Sequence, residues 1–190
     1  MSLFDHFSIL APYYERLIPV GSREKLLDKL ALSPFYRVLD VGGGTGRIAE
    51  ILQRYARNVI VADISFGMLR QVRFKEALQP LCTPSENLPF SERTFDRIVM
   101  VDAFHHVVDQ AETAREMFRV LQPGGRIVIE EPDIRTTTVK SIAVFEKIFL
   151  MRSHFLPPQK IAELFSFSMN HKSIAIDSEK DIAWITITKD

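Results

Sequence analysis

The chain has 190 residues, 46% of them hydrophobic, which is enough for one domain with a substantial core. Its 24 basic and 24 acidic residues balance, so the net charge gives no reason to expect bulk nucleic-acid binding. The single cysteine, Cys82, excludes an intrachain disulfide and a multi-cysteine metal site, and we expect it in the core. The N-terminus lacks signal-peptide features, and no apolar run reaches the roughly 20 residues of a membrane span, so we predict a soluble, cytoplasmic protein.

Strands and helices alternate through the middle of the chain. The apolar runs predict strands at 37–41, 58–62, 81–83, 95–101 and 126–130, and helical spacing predicts helices at 45–56, 65–77 and 111–121. Alternation of this kind predicts a parallel sheet with right-handed crossovers.

The two ends of the chain break this alternation. Two helices are predicted within 3–32, interrupted near 19–21, and two more at 137–151 and 158–167. Residues 173–176 and 182–188 alternate as strands around a turn, which predicts an antiparallel hairpin at the end of the chain.

A glycine loop follows the first predicted strand. Residues 38–46 read Val-Leu-Asp-Val-Gly-Gly-Gly-Thr-Gly, with the glycines spaced G-x-G-x-G, and glycine lets a ligand approach the backbone closely. A dinucleotide-binding loop would need glycine where Arg47 stands, and a P-loop would end in Gly-Lys-Ser/Thr, so neither phosphate loop fits. Asp63 ends the next strand, where a carboxylate can accept hydrogen bonds from a ribose. The pattern predicts a nucleoside site.

These motifs resemble the class I S-adenosylmethionine (SAM) dependent methyltransferases, in particular the ubiquinone and menaquinone biosynthesis group. The resemblance spans residues 4–131 and rests on the glycine loop, Asp63, Leu-Pro-Phe, Phe-Asp-Arg-Ile and Leu-Gln-Pro-Gly-Gly-Arg in that order. It implies an α/β, Rossmann-like, mostly parallel sheet of seven strands in the order 3-2-1-4-5-7-6, with strand 7 antiparallel and helices on both faces. It also implies one domain over 1–190, divided into an N-terminal helical lid (1–32), a cofactor-binding core (33–131) and acceptor-side helices with the hairpin (132–190).

The resemblance implies SAM as the cofactor and S-adenosylhomocysteine as its product. Asp40 would hold the methionine ammonium, or else sit against the next helix dipole. Thr45 would reach the methionine carboxylate, Asp63 would hold the ribose or only cap the next helix, and Ile64 would pack on the adenine. The predicted cofactor-binding residues are Asp40, Gly42, Gly43, Gly44, Thr45, Gly46, Asp63, Ile64, Ser85 and Asp102.

The third strand tip departs from the family pattern Gly-Asp-Ala-x-x-Leu-Pro-Phe. Pro84 stands where the family has an aspartate that accepts a hydrogen bond from the adenine amino group. Ser85 still offers its amide to the adenine ring, and Thr83 or Glu86 can replace the missing acceptor. A lost hydrogen bond at an exposed site is worth roughly 0.5–1.5 kcal/mol, so SAM binding should survive.

Two histidines follow the fourth strand, at the boundary between cofactor and acceptor in the family. His106 and His105 are the candidate catalytic residues, because a histidine can remove an acceptor proton near neutral pH; a packed structural pair is the alternative. No set of spaced ligands accompanies them, so no metal site is predicted. Glu130, Glu131 and Asp133 follow the fifth strand, and a solvated loop is the favoured interpretation for them.

Two segments are predicted to cover the site. The N-terminal aromatic residues Phe4, Tyr13 and Tyr14 resemble the family's lid helix, and 145–155 is rich in aromatic and methionine side chains. An apolar lid suits a small hydrophobic or aromatic acceptor, although such a stripe is also typical of an ordinary core. The predicted function is methyl transfer from SAM to such a small molecule. A non-catalytic SAM-binding or interaction protein and a nicotinamide oxidoreductase are the alternatives, and the oligomeric state stays open.

Overall fold

Seven strands form one sheet in the order β3-β2-β1-β4-β5-β7-β6. The structure is a computed structural model, and it describes residues 23–75, 77–148, 153–168 and 172–190. The strands are β1 (Arg37–Val41), β2 (Asn58–Asp63), β3 (Leu78–Cys82), β4 (Phe95–Val101), β5 (Leu121–Pro132), β6 (Lys172–Glu179) and β7 (Ile182–Lys189). Strands β1 to β5 run parallel, and β7 pairs antiparallel with both β5 and β6.

Helices cover both faces of this sheet. They are α1 (Arg23–Leu30), α2 (Ala49–Leu52), α3 (Phe66–Val72), α4 (Gln110–Val120), α5 (Thr137–Ile148) and α6 (Pro158–Glu163), with short 3-10 helices at Phe104–His106 and Ser166–Ser168. Neighbouring residues of a strand point to opposite faces. Accordingly, Leu39 packs into one apolar cluster with Phe118 of α4, while Val38 packs into another with Leu26 of α1. Burial on both faces explains the continuous apolar runs of the central strands.

The predicted strand order is confirmed, and β1 and β4 have the predicted bounds. The fifth strand is longer than predicted, because the Pro-Gly-Gly sequence that suggested a turn lies inside β5. Gly124 takes a φ of 74° there, and the pairing register between β4 and β5 shifts near Phe95. A bulge of this kind accommodates glycine without ending the strand.

Cys82 was expected in the core, but its side chain is exposed. The reason is that β3 is an edge strand, which only β2 flanks. Most of the predicted N-terminal lid lies outside the described residues, which begin at 23. Residues 149–152 of the second predicted lid, 145–155, also lie outside them. Within the described ranges, no helix has the length and apolar character needed to cross a bilayer.

Candidate functional site

A cavity of about 480 Å³ opens at the carboxyl ends of the parallel strands. It lies beside β1 and β4, where the strand order reverses, and open α/β sheets bind their ligands at such a point. Its size falls in the range of small-molecule sites, roughly 300–1,000 Å³. The predicted cofactor residues that line it are Asp40, Gly42, Gly43, Gly44, Asp63, Ile64, Ser85 and Asp102. Thr45 and Gly46 belong to the same loop and are buried behind its surface.

Backbone conformation shapes the glycine loop. Gly42 and Gly44 have φ values of 66° and 54°, in the left-handed region that glycine adopts without strain. A Cβ at Gly42 would lie 2.6 Å from the Cβ of Ala103, which follows β4. The loop can therefore approach the β4 tip this closely only with glycine at position 42.

Asp40 lies under the loop with only 1% of its surface exposed. It accepts a hydrogen bond from the Ala49 amide, while burial raises its pKa to about 7. Its Oδ2 is buried and has no hydrogen-bond partner among the described residues. A buried carboxylate oxygen without a donor costs free energy, so a cationic group bound in the cavity would stabilise it.

Asp63 ends β2 and connects two parts of the site. Its Oδ2 accepts a hydrogen bond from Gly44 N at 2.8 Å, and its Oδ1 accepts one from Ser65 N at 2.7 Å. Ser65 caps α3 by accepting from Met68 N, so Asp63 is not itself the helix cap. A carboxylate has about four acceptor positions, so one such group can serve several donors at once. Ile64 is 72% exposed beside it, an apolar surface at the mouth of the cavity.

The segment after β3 is stabilised by the side chains that were predicted to contact adenine. Thr83 Oγ1 donates to Asn87 O at 3.0 Å. Glu86 Oε1 accepts from Val108 N and Asp109 N at 3.0 and 3.1 Å, and its Oε2 accepts from Ser85 Oγ at 3.2 Å. Both candidate replacements for the missing aspartate therefore already support local structure.

A buried carboxylate anchors the segment after β4. Glu131 accepts hydrogen bonds from the amides of Ala103, Phe104 and His105 at 2.9, 2.8 and 3.2 Å. Its Oε2 also lies 2.6 Å from His105 Nδ1. A negative charge at the start of a helical turn, with three donated amides, is a strong local anchor. Glu131 thus fixes the part of the cavity lining that carries His106.

The two histidines occupy different positions. His105 is 2% exposed and stacks on Phe155 with 4.2 Å between ring centroids, and it is not among the residues that line the cavity. His106 lines the cavity, and its Nδ1 lies 3.2 Å from Ser153 Oγ. Burial and the adjacent His105 lower the pKa of His106 to about 3, so its imidazole is neutral at physiological pH.

The three acids that were predicted to follow the fifth strand do not form the solvated loop that was the favoured interpretation. Glu130, Glu131 and Asp133 are 5%, 4% and 2% exposed. Glu130 accepts from Trp184 Nε1 at 2.7 Å, and burial raises its pKa. Asp133 pairs with Arg135 at 2.6 Å. The prediction was wrong because β5 extends to Pro132, which places two of these acids inside the sheet.

Arg47 lines the site but was not among the predicted cofactor-binding residues. In the sequence it served only as an argument against a dinucleotide-binding loop. Its side chain lines the cavity, and its guanidinium lies 3.8 Å from Asp102 Oδ2. Asp102 has a φ of 53°, which is uncommon for a residue other than glycine. The position of Arg47 directly after the glycine loop was the available signal.

Comparison with known proteins agrees with this geometry. A family model described as a methyltransferase domain matches residues 39–129. A demethylmenaquinone methyltransferase from Corynebacterium urealyticum is 34% identical over 131 residues, covering 69% of this chain and 56% of that protein. A ubiquinone/menaquinone biosynthesis C-methyltransferase from Geobacter sulfurreducens is 36% identical over 144 residues, covering 67% and 56%. The chain thus spans little more than half the length of these relatives.

Solved structures show the same fold. A SAM-dependent methyltransferase from Thermotoga maritima superposes with a TM-score of 0.78 at 23% identity, covering 97% of this chain and 98% of the other. One from Aquifex aeolicus superposes with a TM-score of 0.67 at 19% identity, covering 97% and 98%. The chain belongs to the class I SAM-dependent methyltransferases, as its motifs predicted.

The cofactor of this class is SAM, and the cavity fits it. The buried Oδ2 of Asp40 lacks a donor among the described residues, and SAM carries an ammonium. Gly44 has no Cβ, and an added one would lie 3.2 Å from Met68 Cε and 3.9 Å from Asp63 Oδ2. The oxygen of Asp40 suits the ammonium of SAM, and the missing Cβ of Gly44 lets a ligand approach the backbone of the loop.

Proposed function

We propose that the protein transfers the methyl group of SAM to a small hydrophobic or aromatic acceptor. The observation that carries this proposal is that Asp40, Asp63 and His106 line one cavity. The buried Oδ2 of Asp40 has no hydrogen-bond donor among the described residues. The quinone-related names of the relatives support an aromatic ring of the quinol type as the acceptor.

In this proposal, Asp40 and the glycine loop hold the methionine portion of SAM, and Asp63 and Ile64 hold the adenosine. SAM supplies a methyl carbon that its sulfonium already activates, so the protein has little covalent chemistry to perform. The cavity aligns the acceptor and excludes water, which are the main sources of rate acceleration left to the protein.

His106 is the proposed catalytic residue, and it receives the acceptor proton. Its low pKa makes it a weak base, but it is in its neutral form at any physiological pH. A weak base suffices here, because a hydroxyl or ring proton becomes strongly acidic as the acceptor atom bonds to the methyl carbon. His105, held on Glu131, is a positioning residue in this proposal.

Transfer of a labelled methyl group from SAM tests the function. Reduced demethylmenaquinone, catechol and benzoic acid serve as acceptors, and we expect labelled product from an aromatic hydroxyl compound. His106→Ala should lower kcat roughly 10²- to 10⁴-fold, the usual contribution of a positioned base, without changing the affinity for S-adenosylhomocysteine. Tight S-adenosylhomocysteine binding with no transfer to any acceptor would instead support a non-catalytic SAM-binding protein.

A further inference from the structure

A segment from late in the chain, residues 153–155, packs against the two histidines that follow β4. Its middle residue, His154, donates its backbone N–H to His105 O at 2.7 Å. Its first residue, Ser153, places its Oγ 3.2 Å from His106 Nδ1. None of its three residues lines the cavity. The segment therefore contacts the candidate catalytic residue from outside the space that the ligands would occupy.

Gln110 fastens this segment to the site. Its Nε2 donates to Phe104 O at 3.0 Å and to His154 O at 2.8 Å, which joins residues 6 and 44 positions away in the chain. A side-chain amide nitrogen has two hydrogens to donate, so each of the two carbonyl groups receives one. Gln110 is the first residue of α4, and the N-cap Asp109 fixes that end of the helix by accepting from Glu112 N.

The contact with Ser153 acts on the orientation of the His106 ring. Glu131 fixes the backbone of the preceding residues, up to His105. A fixed backbone still leaves the two side-chain torsions of His106 to be set by contacts of its ring, and Ser153 supplies such a contact. Orientation matters for a base, because a displacement of roughly 1 Å at a reacting centre can cost about 100-fold in rate.

We propose that Gln110 is a positioning residue, which holds residues 153–155 in place so that Ser153 orients the imidazole of His106 toward the acceptor. This inference rests on the proposed role of His106 in methyl transfer. It assigns a part in the reaction to two side chains that do not line the cavity.

A double-mutant cycle with His106 distinguishes positioning from a general contribution to the fold. Gln110→Met keeps the length of the side chain and removes both donated hydrogen bonds. It should lower kcat for methyl transfer roughly 10- to 100-fold and leave the affinity for S-adenosylhomocysteine unchanged. In a His106→Ala background the same substitution should change kcat by less than about twofold, because the residue that it positions is gone.

Three further variants complete the series. Ser153→Ala should lower kcat about as much as Gln110→Met, whereas Ser153→Thr keeps the hydroxyl and should retain most of the activity. Gln122→Met is the matched control, since it removes a glutamine hydrogen bond to Asp96 near the opposite end of β4. It should change neither kcat nor the affinity for S-adenosylhomocysteine. Thermal unfolding of each variant establishes that it is folded.

NMR of the histidine side chains provides a measurement that does not depend on methyl transfer. The ring signals of His106 are those that disappear from the ¹H–¹⁵N spectrum of His106→Ala. Gln110→Met should shift these signals, because the ring loses its fixed orientation, and Gln122→Met should leave them in place.

The inference is overturned if folded Gln110→Met leaves the ring signals of His106 unchanged. An equal loss of kcat with and without His106 also overturns it, because the effect would then not pass through the histidine. If the wild-type protein transfers a methyl group to no acceptor, the proposed function fails, and the NMR comparison alone decides whether Gln110 positions the ring.

Discussion

The two sides of the cavity hold their shape in different ways. On the β1–β2 side, left-handed glycines set the loop, and Asp63 joins it to the start of α3. On the β4–β5 side, the buried carboxylate of Glu131 gathers three amides and an imidazole. A loop that depends on left-handed backbone conformation can be recognised in the sequence by its glycines. An anchor that depends on one side chain distant in the sequence has no local pattern by which it can be recognised.

The largest effect is expected at that anchor. Glu131→Ala removes the acceptor of three buried amides and should lower the free energy of unfolding by about 3–5 kcal/mol, as for other broken buried charged networks. Urea unfolding measures this loss. Glu112→Ala, which breaks an exposed pair with Arg115, should cost less than about 1 kcal/mol. If both variants lost the same stability, Glu131 would not be the anchor of the β4–β5 side.

On the opposite side, the main loss should be in ligand affinity. Asp63→Ala removes the proposed ribose acceptor and the acceptor of Gly44 N, and should weaken S-adenosylhomocysteine binding roughly 10- to 150-fold. Asp63→Asn keeps one carbonyl acceptor and should lose less. Isothermal titration of the folded variants measures both, and an unchanged affinity in Asp63→Ala would show that the ribose binds elsewhere.

The pH dependence of stability should have opposite signs on the two sides. Asp40 has a pKa of about 7 in the folded protein, against an ordinary value of 3.8 for an aspartate in water. Between these values the folded state holds a proton that the unfolded state releases, so Asp40 lowers stability as the pH rises from about 4 to 7. Asp40→Asn should therefore raise the Tm at pH 8 by about 2–6 °C and change it little at pH 4.

His106 has the reverse shift, from 6.5 to about 3. The unfolded state then binds the extra proton, so the contribution of His106 to stability is present above pH 6.5 and is lost as the pH falls toward 3. His106→Gln should flatten this acid slope without affecting the slope above it. Tm measured across about pH 3 to 8 distinguishes the contributions of the two residues. If Tm changed with pH in the same way in Asp40→Asn and His106→Gln, the opposite pKa shifts assigned to these residues would be contradicted.

The smallest expected effect lies at the tip of β3. Pro84→Asp restores the family's acceptor for the adenine amino group and should raise SAM affinity roughly 2- to 10-fold, the worth of one exposed hydrogen bond. Pro84→Ala, which adds no acceptor, is the control. Equal affinities for the two variants would mean that another group already binds the amino group.

The sequence predicted the central strands well, because β1 and β4 are apolar runs bounded by polar residues. The strand order came from the resemblance to a known family, and the sheet agrees with it. Spacing could not reveal Glu131, whose contacts lie 26 to 28 residues away in the chain. The contacts of Glu86 with amides 22 and 23 residues away were hidden for the same reason.

The central claim is that the loop after β1 serves a methionine-bearing adenosine and not a diphosphate. Calorimetric titration of the wild-type protein with S-adenosylhomocysteine, and separately with NAD, tests it most directly. We expect saturable binding of S-adenosylhomocysteine and no heat of binding with NAD. Saturable NAD binding with no response to S-adenosylhomocysteine would contradict it.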